Sequence, residues 1–147
     1  MKRPAARASG IHFVIDAFVV LPDHIHAIWR LPEGDTDFST RWRLIKIVFS
    51  KAIPTTERRS KVRRARGERG IWQRRFWEHL IRDDEDYRRH VEYCYINPVK
   101  HGLASRVGDW PFSSFHRDVA AGLFPQDWAG EFDTDGEFGE ASNGAIK

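Results

Sequence analysis

At 147 residues the chain has the size of one ordinary domain with one hydrophobic core. With 41% hydrophobic, 31% charged and 13% aromatic residues, among them six Trp and ten Phe, it is no disordered segment, coiled coil or collagen-like polymer. The net charge of +3 is unevenly divided: −1 over residues 1–40, +9 over 41–90, +1 over 91–117 and −6 over 118–147. A basic middle interleaved with Trp, Phe and Tyr points to a polyanion, nucleic acid first among them. A solvated mixed-charge surface is the plainer reading of the same composition. The single Cys94 excludes an internal disulfide and a Cys-rich zinc site and makes a reducing, cytoplasmic setting the default.

In chain order, Ile11–Leu21 (IHFVIDAFVVL) reads as a buried strand, rich in Val, Ile and Phe and too short to span a bilayer. Lys2, Arg3 and Arg7 precede it, but His12 and Asp16 interrupt it, which argues for core and against a signal or membrane segment. Pro22-Asp23 marks a turn, and His24–Leu31 a second strand, so the two form an antiparallel hairpin. A helix follows, capped by Asp37 or Ser39 and ended by Pro54. Phe38, Trp42, Ile45, Phe49 and Ala52 form its buried stripe, and Arg41, Arg43, Lys46 and Lys51 its other faces. Residues 55–70 read as an exposed basic loop, and Ile71–Ile81 as a strand with Trp72, Phe76 and Leu80 on one side. Asp83–Asp86 opens a second helix that runs to Asn97 and stops at Pro98. Segments around Trp110–Ser114 and Leu123–Pro125 read as turn-rich packing, and residues 131–147 as an acidic flexible tail. No internal repeat is present.

The sharpest local feature is His24-Ile25-His26. On a strand both imidazoles project to one face, close enough to share a metal ion, with Ile25 turned to the core behind. The pair by itself is a modest signal, and a chance pair of half-buried, hydrogen-bonded histidines is the plainer reading. A His-x-His-x-His hydrolase needs a third histidine where Ile28 stands, and a barrel dioxygenase needs more strands than this chain offers. A divalent ion over a scissile phosphate remains, and it calls for a nucleophile. At about 100° per residue, Tyr87, Val91 and Cys94 make the apolar face of the second helix. Asp86, His90, Tyr93 and Asn97 fall together on a flank roughly 90° away. Tyr93 is thus placed to face a site, and a phenolate is a competent nucleophile towards a phosphodiester. A Tyr at a helix–sheet boundary with its hydroxyl in water is the commoner reading of the same position. Tyr95 is the competing candidate, nearer the opposite flank.

The segments FVVLPDHIHAIWRLPEGDTDFSTRWRLIK, IWQRRFWEHLIRDDEDYRRHVEYCYINPVKHGL and DWPFSSFHRDVAAGLFPQDWAG resemble the REP-associated tyrosine transposases, single-tyrosine members of the HUH (His-hydrophobe-His) group. The resemblance runs from about Phe18 to Gly130. It implies an α+β, ferredoxin-like sandwich of antiparallel sheet and helices. It makes His24 and His26 the HUH pair for Mg²⁺ or Mn²⁺, Asn97 a further metal ligand and Tyr93 the catalytic nucleophile. The implied substrate is single-stranded DNA beside short palindromic REP-type hairpins, cut and rejoined through a 5′-phosphotyrosine, in a bacterial cytoplasm at the nucleoid and with no membrane partner. Arg58, Arg59, Arg63, Arg64, Arg66, Arg74 and Arg75 are the expected phosphate contacts. Trp72 and Trp77 are candidates to stack on bases, or to pack in the core. Phe38, Trp42 and Phe49 are assigned to core.

Against the family pattern, the ten residues MKRPAARASG stand where a further strand and long helix are expected, so one HUH domain over 1–130 is expected without its first strand and helix. One edge of the HUH strand would then be bare. A non-catalytic hairpin binder is the alternative function, and a phosphoesterase using water a third. The −6 tail is expected to compete with DNA for the basic middle.

Overall fold

The structure, a computed structural model, describes residues 12–74 and 76–130. Residues 1–11, Arg75 and the acidic segment 131–147 lie outside the described residues. The chain divides into two compact units, one holding His12 and residues 31–77, the other residues 13–30 and 78–130.

In the second unit, β1 (Val14–Val20) and β2 (Ile25–Arg30) form an antiparallel hairpin closed over Pro22-Asp23, where the Leu21 N–H donates to the His24 carbonyl at 2.9 Å. The Pro-Asp turn and β-branched runs predicted this much. The register pairs Val19 with His26 and Ala17 with Ile28, and a bulge at Asp16 interrupts the ladder. Beside β1, the segment Phe112–Ser114 supplies a further line of bonds: Val20 N–H to Phe112 O, Ser114 N–H to Phe18 O and Phe18 N–H to Ser114 Oγ. Arg117 donates to the carbonyls of Ile15 and Asp16 along the same edge. Among the described residues β2 pairs with β1 alone.

One face of the hairpin is buried under a helix. Ala17, Val19 and Leu21 pack with Val91, Cys94, Tyr95, Ile96, Val107 and Phe115, with Ile28 against them. Val14, Ile15 and Val20 of β1 are exposed and Asp16 and Phe18 half-buried, so β1 buries only alternate residues where full burial was expected. This is the α+β arrangement of antiparallel sheet and helices that the resemblance implies. The packing helix, the long one of this unit, spans Asp84–Lys100. Asp83 caps it through the Asp86 N–H at 2.8 Å, and Asp84, Glu85 and Asp86 sit in its first turn. It does not stop at Pro98. A proline in the last turns costs one ladder bond, and the helix runs on until Gly102, at φ +69°, closes it. The closure is a Schellman pair, with Gly102 N–H bonded to Val99 O and Leu103 N–H to Pro98 O. A 3₁₀ turn (Val107–Asp109) and a short helix (Phe115–Ala120) complete this unit.

In the other unit, α1 (Phe38–Ala52) begins at Asp37, whose carboxylate accepts from the Thr40 N–H at 3.0 Å. Its one buried side chain is Arg41, not the aromatic stripe. The guanidinium grips Asp35 at 2.6 Å and the carbonyls of Asp37 and His12, sewing the preceding loop to the helix. Phe38, Trp42 and Ile45 are half-buried, while Phe49 is 45% exposed, contrary to its assignment as core. The stretch 55–70 is not all loop. Ser60 caps a short helix α2 (Lys61–Ala65) through the Arg63 N–H. The described residues among 71–81 form no strand. They run as irregular chain, with Trp72 against Phe49 and bonded to Ser50, and Phe76 against Phe38 and Trp42. The four-residue spacing of Trp72, Phe76 and Leu80 fitted one strand face only formally, and Leu80 is 85% exposed. The second-unit elements Asp84–Lys100 and Phe115–Ala120 are α3 and α4 below. Among the described residues no helix is long and apolar enough to cross a membrane.

Tyr95 is fully buried, and its hydroxyl donates to Asp118 at 2.6 Å beside Ser114. Tyr95→Phe leaves that carboxylate one bond short, and urea denaturation is expected to show a loss of about 1–3 kcal/mol. An unchanged midpoint would mean that the hydroxyl does not hold the α3–α4 junction.

Candidate active site

The pairing of His26 with the buried Val19 puts His26 on the face covered by α3, and His24, two residues earlier, shares it. Ile25 points the other way and is only half-buried, so the apolar anchor on the histidine face is Ile28. The two imidazoles meet edge-on with centroids 4.9 Å apart, and their Nε2 atoms are shielded from solvent. His24 Nδ1 lies 2.6 Å from Asp23 Oδ1, and this hydrogen bond holds the Asp23 carboxyl below the usual carboxylate range. A histidine that binds an ion commonly has its other ring nitrogen held by a carboxylate in this way.

From α3, the Tyr93 ring stands edge-on to His26 at 5.6 Å. Lys100, two turns on, donates to the Tyr93 hydroxyl oxygen at 2.6 Å, with its ammonium 4.6 Å from the ring centre. Asn97 lies between them on the helix, fully buried, with its amide oxygen shielded from solvent. His101 closes the group, its ring 5.3 Å from that of His24. The structure thus brings His24, His26 and Tyr93 together and places Asn97 one turn from Tyr93. Asp23, Lys100 and His101 are members that the sequence reading missed. Lys100 and His101 lie on the flank already defined by Asp86, His90, Tyr93 and Asn97. Stopping the helix at Pro98 hid them. Tyr95 is excluded as a nucleophile. It is buried in the core, where desolvation and the Asp118 carboxylate push its hydroxyl further from ionisation.

The paired imidazoles of His24 and His26 are nitrogen donors of the kind that hold a divalent ion, and Asn97 carries an amide oxygen one turn along the helix from Tyr93. The Asp23 bond and the shielded donor atoms fit that use.

A second cluster lies nearer the start of α3. Asp86 Oδ2 is 2.8 Å from His79 Nε2 and 2.9 Å from the Arg82 amide, and Asp86 Oδ1 is 3.1 Å from His90 Nδ1. The His79 bond, followed by those from Arg82, holds the Asp86 carboxyl far below the usual range.

Of the seven arginines expected at phosphate, the six described ones all belong to the unit of α1 and α2. Arg58, Arg63, Arg64 and Arg66 are exposed and Arg59 half-buried, whereas Arg74 is paired with Glu68 at 2.9 Å. Arg69 has a different task. It bonds Glu57 at 2.6 Å and the carbonyls of Ser50, Ile53 and Pro54, covering the C-terminal end of α1 with positive charge. Trp72 packs on α1, while Trp77 is 47% exposed.

In this α+β protein a half-buried tyrosine on a helix faces a His-hydrophobe-His pair at the start of an antiparallel strand. No family model matches the chain. It is 58% identical over 128 residues to a REP-associated tyrosine transposase of Escherichia coli K12, covering 87% of this chain and 69% of that protein. It is 52% identical over 134 residues to a Haemophilus influenzae protein provisionally described in the same way, covering 89% and 76%. A solved structure of a REP-associated tyrosine transposase bound to a REP hairpin superposes with a TM-score of 0.72 at 57% identity, over 88% of this chain and 70% of that one. The chain belongs to the REP-associated tyrosine transposases.

The Arg69 bonds hold the Glu57 carboxyl down at about 2, against an ordinary value of 4.5. Because the folded value is depressed, the pair contributes fully above 4.5 and is lost as pH falls through about 2. By NMR, the Arg69 Nε proton should stay protected down to pH 4.5 and lose protection towards pH 2. In Glu57→Gln it should be unprotected at neutral pH. Equal protection in both proteins would refute the assignment.

Proposed function

We propose that the chain is a metal-dependent single-strand endonuclease and strand transferase acting at REP-type DNA hairpins, with Tyr93 as nucleophile. The observation that carries this reading is Tyr93 set edge-on to His26, within the group that also holds His24, Asn97 and Lys100. Tyr93 Oη attacks phosphorus in line, the P–O3′ bond breaks, and the departing oxygen takes up a proton as a 3′-OH. The product is a 5′-phosphotyrosine, which conserves the ester. A 3′-OH can therefore reverse the step at the same or another end without a nucleotide cofactor.

His24, His26 and Asn97 would hold Mg²⁺ or Mn²⁺, which when bound neutralises charge on a non-bridging phosphate oxygen. Asp23 orients His24 for that task. The Lys100 ammonium lies where phenolate charge resides before attack and aligns Oη for it. Arg58, Arg59, Arg63, Arg64 and Arg66 bind backbone phosphates of the hairpin without reading sequence, and Arg74 and Arg75 join them where they are free to do so. Trp77 offers an exposed ring to an unpaired base. The domain extends over 1–130 with the acidic 131–147 segment as a tail, acting on DNA in the cytoplasm.

With Mn²⁺ and an end-labelled single-stranded hairpin oligonucleotide, a covalent protein–DNA band is expected on denaturing gels, absent in Tyr93→Phe. Lys100→Met should slow its formation by about two orders of magnitude, the usual loss for one charge-stabilising donor, and Lys100→Arg should restore part. Cleavage with no covalent species would mean attack by water. Retardation of DNA without cleavage would mean a non-catalytic hairpin binder. Each phosphate contact removed by Arg→Gln at Arg58, Arg63, Arg64 or Arg66 should flatten the slope of log affinity against log salt by about 0.7 on single strands. An unchanged slope would clear that residue from the interface.

A further inference from the structure

A second cluster lies at the start of α3, on the flank that carries Tyr93 further along the helix. His79, Asp86 and His90 each present a ligand atom, and these atoms lie within 4.8 Å of one another. Asp86 and His90 are one helical turn apart, so their side chains emerge from the same side of α3. His79 comes from the irregular segment before the helix. All three belong to one compact unit. The His79 and His90 rings are stacked nearly parallel, 8° apart in plane with centroids at 4.4 Å. His79 Nε2 lies 2.8 Å from the Asp86 carboxylate, and His90 Nδ1 lies 2.8 Å from the Asp86 carbonyl and 3.1 Å from the same carboxylate. Their side chains are 24%, 9% and 14% exposed for His79, Asp86 and His90, so all three are sheltered.

Asp86 is also the best anchored residue of the first turn. Its amide is bonded by the N-cap Asp83, and its carboxylate by the Arg82 amide. A carboxylate so fixed, with two imidazoles turned onto it, is a pre-positioned donor set of two nitrogens and one oxygen. That set matches a borderline divalent ion with three protein ligands and one position for water, and suits hard Mg²⁺ poorly.

We propose that His79, Asp86 and His90 form a second metal site, selective for Zn²⁺ and distinct from the one at His24, His26 and Asn97. Its role is to clip the segment carrying His79 onto the first two turns of α3. The clip fixes the rotation of the helix about its axis, and with it the direction of Tyr93, three residues beyond His90. This site does not depend on the transposase reading, because metal can be counted on a protein whose HUH histidines have been removed.

The test uses the full chain carrying His24→Ala and His26→Ala. Isothermal titration with Zn²⁺ should give one site per chain, not displaced by excess Mg²⁺, together with a rise in Tm on loading. Adding His79→Gln or His90→Gln should weaken Zn²⁺ binding by at least about tenfold, the lower end for loss of a group that supports a metal. It should also abolish the rise in Tm. His79→Gln keeps an amide able to donate to Asp86 and lies outside the helix, so its circular dichroism should match the parent's. Visible absorption of the Co²⁺-loaded protein gives a second readout of the same ligands. No stoichiometric Zn²⁺ in the His24/His26 variant, or binding unchanged by His79→Gln and His90→Gln, would overturn the site. The three side chains would then be a hydrogen-bonded latch and nothing more.

Discussion

The candidate site depends on one constraint, the register that sets His26 opposite Val19 in the hairpin. Directly opposed residues of an antiparallel pair share a face. Ala17, Val19 and Leu21 are apolar and must be covered, and α3 covers them. The same cover then lies over His26 and His24. A slip of one residue would turn the histidines away from Tyr93, but it would also expose Val19 and Ala17. The energy that positions the chemistry is therefore the energy of the core. No separate device is needed to aim the imidazoles at the helix, and the bulge at Asp16 lies outside the stretch where register matters.

Helix α3 answers the hairpin with two sectors. Val91 and Cys94 pack on the strands, and Cys94 Sγ lies 3.8 Å from the His26 carbonyl. Tyr93 and Tyr95, two residues apart, are about 200° apart around the axis and so cannot share an environment. One reaches the histidines and the Lys100 ammonium. The other is sealed against Phe115, Phe124 and Asp118. Two tyrosines in a three-residue span thus have opposite surroundings, and the difference is rotational position alone.

Much of this was legible from residue pattern. The β-branched runs, the Pro-Asp turn, the acidic helix start and the 100° arithmetic on α3 each rest on local physics that tertiary contacts did not override. The failures have a common cause. Residues 71–81 have strand-like composition, but strand formation requires a partner edge, and here Trp72 and Phe76 lie along α1 instead. Pro98 was read as a terminator, although a proline near a helix end removes only one bond. The residue that ends the helix is Gly102, whose backbone adopts the left-handed conformation. Moving the end back by three residues removed Lys100 and His101 from a flank otherwise correctly drawn. Arg41 was placed outward because charge is expected at the surface, yet its partners are a carboxylate and two carbonyls that a guanidinium fork satisfies together.

The division of charge along the chain takes on a different meaning at this level. A net +9 over residues 41–90 describes composition, not available positive surface. Arg41 and Arg69 are committed to carboxylates and carbonyls within their own unit, and Arg74 is paired with Glu68. In the other unit, Arg88 is bound on both sides by Glu85 and Glu92. What remains for a polyanion concentrates in and around α2, a helix too short to persist without its surroundings. Arg69 supplies those surroundings by joining Glu57, ahead of α2, to the end of α1. The guanidinium of Arg63 crosses so close to Gly70 that a Cβ there would come within 2.6 Å of it. The arginines that never reach a ligand thus hold in place those able to do so. Counting charge along the sequence cannot separate the two groups, because the difference lies in which carbonyls and carboxylates each guanidinium meets.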